Sequence, residues 1–212
     1  MHPFGCVDLV GHAGGISLSW KQGVEADLVS TSTNIINVII FSDPLSKPWM
    51  LSGIYGPPYN SLKPAFWDSL EQVLSSFSWP WIGIGDYNCL LRSEDKKGGS
   101  SFTPSSSSSI RNRVDSLGLI DMGCVGNPYT WTNKRLAKAN VKEMLDRALA
   151  NTDWRVLFPN AKVKHFSIIK SDHAPILLLT QGDSNSYPKP FKFEVVWIRD
   201  TTSNKVIYMA WN

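Results

Sequence analysis

The stretch Trp79-Pro80-Trp81-Ile82-Gly83-Ile84-Gly85-Asp86-Tyr87-Asn88-Cys89-Leu90-Leu91 decides how this chain reads. Trp81, Ile82 and Ile84 form a short apolar run of β-type residues, bounded by Pro80 before it and Gly85-Asp86 after it. That pattern predicts a buried strand ending at Gly85. Asp86 and Asn88 then lie on the loop at its carboxyl end, the edge of a helix-covered sheet where polar groups can converge on a ligand without being buried unpaired. Taken alone, a Gly-Asp pair after a strand is ordinary turn chemistry.

A second stretch, Ser171-Asp172-His173-Ala174-Pro175, gives the first one company. It lies between Phe166-Ser167-Ile168-Ile169 and Ile176-Leu177-Leu178-Leu179, both of which read as strands, and Pro175 suits a strand's first position. Asp172 and His173 thus fall on another strand-end loop. Leu145-Asp146-Arg147 is a third piece, and Ile54-Tyr55-Gly56-Pro57-Pro58 a fourth, closing the strand Trp49-Met50-Leu51-Ser52-Gly53. Asp146 stands among apolar neighbours; a buried carboxylate needs a partner, and His173 is the obvious one.

These four motifs, in this order, resemble the endonuclease/exonuclease/phosphatase superfamily, and most closely the endonuclease domain of plant LINE-type non-LTR retrotransposons. Gly14-Gly15-Ile16-Ser17-Leu18-Ser19-Trp20, Lys96-Lys97-Gly98-Gly99, Gly126-Asn127-Pro128-Tyr129-Thr130-Trp131-Thr132-Asn133, and Phe191-Lys192-Phe193-Glu194 with Trp197 are also family-like. The resemblance implies an α/β chain folded as a two-sheet α/β sandwich of the DNase I-like type. It implies phosphodiester hydrolysis on DNA with Mg²⁺, or Mn²⁺ in its place. In that frame His173 contacts the phosphate or water with Asp146 orienting it. Asp86 handles a proton, Asn88 positions the water, Tyr55 touches the phosphate and Asp172 is a metal ligand. Whether Asp86 or His173 is the base stays open. The family also implies a nuclear, intracellular setting and a reverse transcriptase partner domain, which this chain lacks.

The chain departs from the family at one place. The family's opening strands carry an asparagine and a metal-binding glutamate ahead of the Gly-Gly segment, and residues 1–13 contain neither. The expectation is a domain over residues 1–180 lacking its first strands, with impaired activity. Residues 181–212 read as a linker and remnant, by their Gly, Ser, Asn and Pro content. Two alternatives remain: a nucleic-acid-binding remnant without catalysis, and a phosphatase of the same superfamily.

Composition agrees with one domain. The chain has 212 residues, 42% hydrophobic, enough for one substantial core. Cys6, Cys89 and Cys124 have no zinc-type spacing and read as small core residues, which favours a reducing compartment. No apolar segment approaches the ~20 residues of a membrane span. Residues 1–100 carry a net −3 and residues 101–212 a net +6. The basic half therefore suits a polyanion, with Lys134, Arg135 and Lys138 beside Trp131 as candidate nucleic-acid contacts. His12, among glycines with no acidic neighbour, is a weak site candidate.

The remaining elements follow from pattern. Alternation at Ile16, Leu18 and Trp20 predicts a half-buried strand, and Asn34-Ile35-Ile36-Asn37-Val38-Ile39-Ile40-Phe41 a strand covered on both faces. Residues 61–74 read as a helix capped by Ser61, and residues 91–109 as a polar loop whose last serines cap a helix ended by Gly118.

Overall fold

The computed structural model describes residues 2–10, 13–44, 46–102, 104–182 and 208, with side chains at 1–14 and 103–107 outside that description. His12, the Cys6 side chain and almost all of the linker and remnant, with the Phe191 and Trp197 motif, lie outside it too. In chain order the strands are β1 (His2–Val10), β2 (Ala13–Trp20), β3 (Ala26–Thr31), β4 (Ile35–Ile40), β5 (Trp49–Tyr55), β6 (Trp81–Asp86), β7 (Lys96–Lys97), β8 (Ile120–Asp121), β9 (Val125–Gly126), β10 (Trp131–Thr132), β11 (Lys142–Glu143), β12 (Asp146–Ala150), β13 (Lys162–His165) and β14 (Ile176–Leu179). The helices are α1 (Lys63–Ser76), α2 (Pro104–Ser116) and α3 (Thr152–Leu157).

The central sheet has the order β3-β4-β5-β6-β12-β8. Only β5 and β6 run parallel, which is why a helix, α1, must connect them; β12 enters antiparallel beside β6. Side chains alternate across this sheet with period two. Met50, Trp81 and Leu149 face one core with Phe66, Trp67 and Leu70 of α1 and Val114 of α2. Ile82, Ala148 and Ala150 face a second core with Trp154, Phe158 and Val163, onto which Leu51, Ile84 and Leu178 pack. The second layer is therefore the sheet β14-β13-β9, lying over the face opposite α1. The β1–β2 hairpin adds to that face, since Ile16 lies 3.7 Å from where a Cβ on Gly53 would be. This is a mixed α/β sandwich of several sheets and few helices.

Buried polar side chains cross the sheet in one chain. The Trp81 indole donates to Ser52 Oγ at 2.7 Å, Ser52 donates to Asn37 Oδ1, and Asn37 donates to Ser30 Oγ at 2.9 Å. Each buried polar atom so paired escapes the desolvation penalty, and the chain fixes the register of β3 through β6.

Three expectations need correction. The strand before the histidine motif is Lys162–His165 rather than residues 166–169; Val163 and His165 are buried while Phe166 is exposed. α1 begins after a short 3₁₀ turn at Asn60–Leu62, with Leu62 rather than Ser61 at its cap and no side-chain cap bond. Pro64 does sit in the first turn, where its missing N–H costs nothing. The serine run lies inside α2, which starts at Pro104, and the stretch before it carries a 3₁₀ turn (Ser93–Asp95) and β7.

Candidate functional site

Sheet register assembles the site. Tyr55 pairs with Asp86 across β5 and β6, and Asp86 pairs with Asp146 across β6 and β12. All three positions carry the parity of Ile84 and Ala148, so Tyr55, Asp86 and Asp146 project from the sheet face turned toward the second layer. β5 and β6 come close enough there that a Cβ at Gly85 would run into the Ile54 carbonyl; Gly85 also has φ +144°, which a side chain rarely adopts. The second layer brings His173 to the same place.

The turn after β6 is held by its own side chains. Asn88 has a left-handed φ of 49°, its amide donates to Asp86 Oδ1 at 2.7 Å, and its Nδ2 donates to Asp86 Oδ2 at 3.0 Å and to the Gly56 carbonyl at 2.8 Å. Gly56 N–H returns a bond to the Asp86 carbonyl at 2.7 Å. The Tyr55 end of β5 and the Asp86 end of β6 are thereby locked together.

On the opposite side, His173 Nδ1–H donates to Asp146 Oδ2 at 2.9 Å. Asp146 is 9% exposed, and the backbone amides of Leu145 and Asp146 both donate to the buried Thr130 hydroxyl. The His173 loop is stitched to the β10 segment: Ala174 N–H donates to the Thr130 carbonyl at 2.7 Å, and Thr132 N–H donates to the Asp172 carbonyl at 3.0 Å. Trp131 Nε1 donates to Asp172 Oδ2 at 3.2 Å. The expected Asp146–His173 pair is present, and Trp131 uses its polar edge on Asp172.

Electrostatics follow from this crowding. Burial, reinforced by the Asp146 charge, pushes the Asp86 carboxyl up to about 6, against the pull of the Asn88 amide, His173 and Lys63. The hydrogen bond to Asp146 raises His173 above its usual value, outweighing its desolvation. At Asp172, slight desolvation is outweighed by hydrogen bonds from a backbone N–H and from Trp131, together with the His173 and Lys134 charges, and the carboxyl lies below its usual range. An acid titrating near 6 thus faces an imidazole held toward its charged form.

Lys134, Arg135 and Lys138 are all exposed on the loop between β10 and β11, and no ion pair among the described residues uses them. A cleft of about 600 Å³ opens on the other side of Asn88, between the start of α1 and the segment after β7, with Asn60, Lys63 and Lys96 in its walls. Among the described residues no three His, Cys, Asp or Glu side chains are grouped to hold a metal ion. No described helix is long and apolar enough to cross a membrane. Nothing local in the sequence marks Arg147 as an internal charge or Asp95 as its partner.

No protein-family model and no curated protein matches the chain. Its structural neighbours share the DNase I-like fold. The endonuclease domain of TRAS1, a telomere-specific non-LTR retrotransposon, superposes with a TM-score of 0.61 at 15% identity over 77% of this chain and 71% of that one. The AP endonuclease LMAP from Leishmania major superposes with a TM-score of 0.56 at 18% identity, over 73% of this chain and 61% of that one. At such identities the likeness is one of fold, and it matches the sandwich described above.

Proposed function

We propose that this chain hydrolyses phosphodiester bonds in DNA as a Mg²⁺-dependent endonuclease of the retroelement type. The observation that carries the reading is the convergence of four separate segments at one end of the central sheet: Tyr55, Asp86 with Asn88, Asp146, and Asp172 with His173. The neighbours named above act as nucleases by their own names, and their fold is the one found here.

The chemistry requires a water made nucleophilic, relief of charge on the phosphate, and help for the leaving oxygen. Asp86, with its carboxyl near 6, is poised to take a proton from water at neutral pH. Both Nδ2 hydrogens of Asn88 are committed to Asp86 and Gly56, so its carbonyl oxygen is the atom that orients the water. His173, held toward its charged form by Asp146, meets the phosphate through Nε2, and Tyr55 contacts it from β5. Asp172, ionised and exposed, offers a hard oxygen ligand, which fits an ion that binds through one or two carboxylates plus substrate phosphate. Mg²⁺, or Mn²⁺, would supply charge relief on the non-bridging oxygens. In this proposal the ion would be held jointly by Asp172 and the substrate phosphate. Lys134, Arg135 and Lys138, with Trp131 beside them, are the proposed DNA contacts. In this proposal the substrate is nuclear DNA, and the partner activity is a reverse transcriptase domain.

The exposed Lys134, Arg135 and Lys138 also suit a second reading, a DNA-binding protein without catalysis. An end-labelled duplex, with and without a 3′ phosphate, separates the readings. Strand scission that needs Mg²⁺ is expected. Release of terminal phosphate alone would mean a phosphatase, and salt-sensitive retention without scission would mean a binding protein.

A further inference from the structure

Arg147 is 1% exposed, the most deeply buried cation among the described residues, and its two terminal nitrogens donate to a particular set of acceptors. Nη2 donates to the Met144 carbonyl at 2.8 Å, to Asp95 Oδ2 at 3.0 Å and to the Cys89 carbonyl at 3.3 Å; Nη1 donates to Asp121 Oδ2 at 3.1 Å. Asp95 Oδ2 also accepts the backbone amides of Leu91 and Arg92, at 2.8 and 3.1 Å. The guanidinium therefore ties together the end of the Asp86 turn, the 91–95 turn and the neighbouring strands β8 and β12. Stability alone does not call for this arrangement: replacing a buried ion triad with apolar side chains of similar volume is often neutral or stabilising.

Nη2 also reaches the carbonyl of Cys89, the residue after Asn88. Asn88 has φ 49°, a left-handed conformation that asparagine adopts when it can hydrogen-bond locally, as it does here to Asp86. Its neighbours hold it there. On one side the turn is fixed by the bonds between Gly56, Asp86 and Asn88 and by Tyr87 N–H donating to the Leu145 carbonyl at 3.0 Å. On the other side, Cys89 is drawn inward by Arg147.

We propose that Arg147 is a positioning residue for the site: by holding the Cys89 carbonyl it keeps Asn88 in the left-handed turn from which its amide reaches the Asp86 carboxylate. This rests on the hydrolytic reading for its effect on turnover, and on geometry alone for its effect on Asp86. Burial is the largest influence on Asp86, followed by Asp146 on β12, the Asn88 amide, His173 across the layer gap and Lys63 on α1. The Arg147 tie acts on the amide bond through the turn, and losing that bond while the site stays buried raises Asp86 further.

The test compares Arg147→Lys and Asp121→Asn in the full chain, with the Asp86 carboxyl followed by ¹³C NMR titration and folding followed by thermal melting. Lysine keeps the charge but cannot span the Asp95, Asp121 and Cys89 acceptors together. In Arg147→Lys the Asp86 midpoint should rise from near 6 by roughly half a unit or more. Nicking kcat should fall by about tenfold or more with KM within about twofold. Asp121→Asn loosens the triad without touching the Cys89 tie, so it should melt lower while the Asp86 midpoint and kcat stay put. An unmoved midpoint in folded Arg147→Lys, or an equal shift in both variants, overturns the proposal. If Arg147→Lys does not fold, Asp95→Asn, which keeps an acceptor oxygen but weakens the same anchor, is read by the same midpoint. If the wild-type chain does not nick, the hydrolytic reading fails while the titration still decides the positioning role.

Discussion

Asp86 and His173 titrate in the same direction for different reasons, and pH exposes both. Asp86 is raised by burial and by the Asp146 charge, so the folded state holds its proton more tightly than the unfolded chain does. Its stabilising contribution is present in acid and is lost as pH climbs from near 3.8 through about 6. At about 1.4 kcal/mol per unit, the loss is on the order of 2–3 kcal/mol at neutral pH. His173 is raised by Asp146, and its contribution is likewise full below about 6.5 and is lost as pH rises through its higher folded value. Urea midpoints should therefore fall between pH 5 and pH 8, and Asp146→Asn should flatten that fall, because its charge feeds both shifts. Activity should move the other way, rising with pH through about 6 as Asp86 ionises. A rate that is flat from pH 5 to 7 would remove Asp86 from the role of base. At this scale the sequence was informative about pairs: a carboxylate among apolar neighbours required a partner, and it has His173 at 2.9 Å. Arg147 was invisible, because its burial depends on Asp95 and Asp121, two turns and a strand away.

At the scale of elements, short anchors set where strands end. Asn151 caps α3 by accepting from Trp154 N–H at 2.9 Å, accepts the Trp81 amide at 2.9 Å and donates to the Trp79 carbonyl at 2.8 Å. It therefore joins α3 to the start of β6. Asn151→Ala should destabilise by roughly 2–3 kcal/mol, more than an ordinary cap, because three bonds are lost together. Gly85→Ala should cost at least as much, since the new Cβ meets the Ile54 carbonyl where β5 and β6 approach. Chemical denaturation with unchanged m-values checks both. The elements with a clean period were legible: β4 as a doubly covered apolar run, β2 by alternation, and α1 by its Phe66, Trp67 and Leu70 face. The strand before the histidine motif was not. Residues 166–169 look apolar, but β13 is selected by pairing with β14 and, in parallel, with β9, partners that lie far away along the chain. The serine run joined α2 because Ile110, Val114 and Leu117 pack on α1's core, a tertiary gain that overrides weak local propensity.

At the scale of the whole molecule, Asp86 and Asp146 pair across neighbouring strands, and Lys134 of the exposed basic loop is near enough to act on the Asp172 carboxyl. Such a charge pattern suits a polyanion whose phosphate must be approached by an ionised base. Replacing Lys134, Arg135 and Lys138 with alanine should weaken DNA retention and reduce the slope of log affinity against log salt by up to about 2.7, if all three meet phosphates. An unchanged slope would move the DNA path elsewhere, for instance to the cleft beside Asn88 and Lys63. The sandwich was legible because ordered motifs marked four strand ends; the strand order was less so, since β12 inserts antiparallel beside β6 from sixty residues downstream.

The most direct measurement is the nicking of supercoiled plasmid by the purified 212-residue chain across a Mg²⁺ titration, with His173→Ala alongside. The account predicts slow nicking that rises with Mg²⁺ and is lost by at least about a hundredfold in the variant. Nicking that persists in His173→Ala, or none from the wild-type chain at any Mg²⁺ concentration, would contradict it.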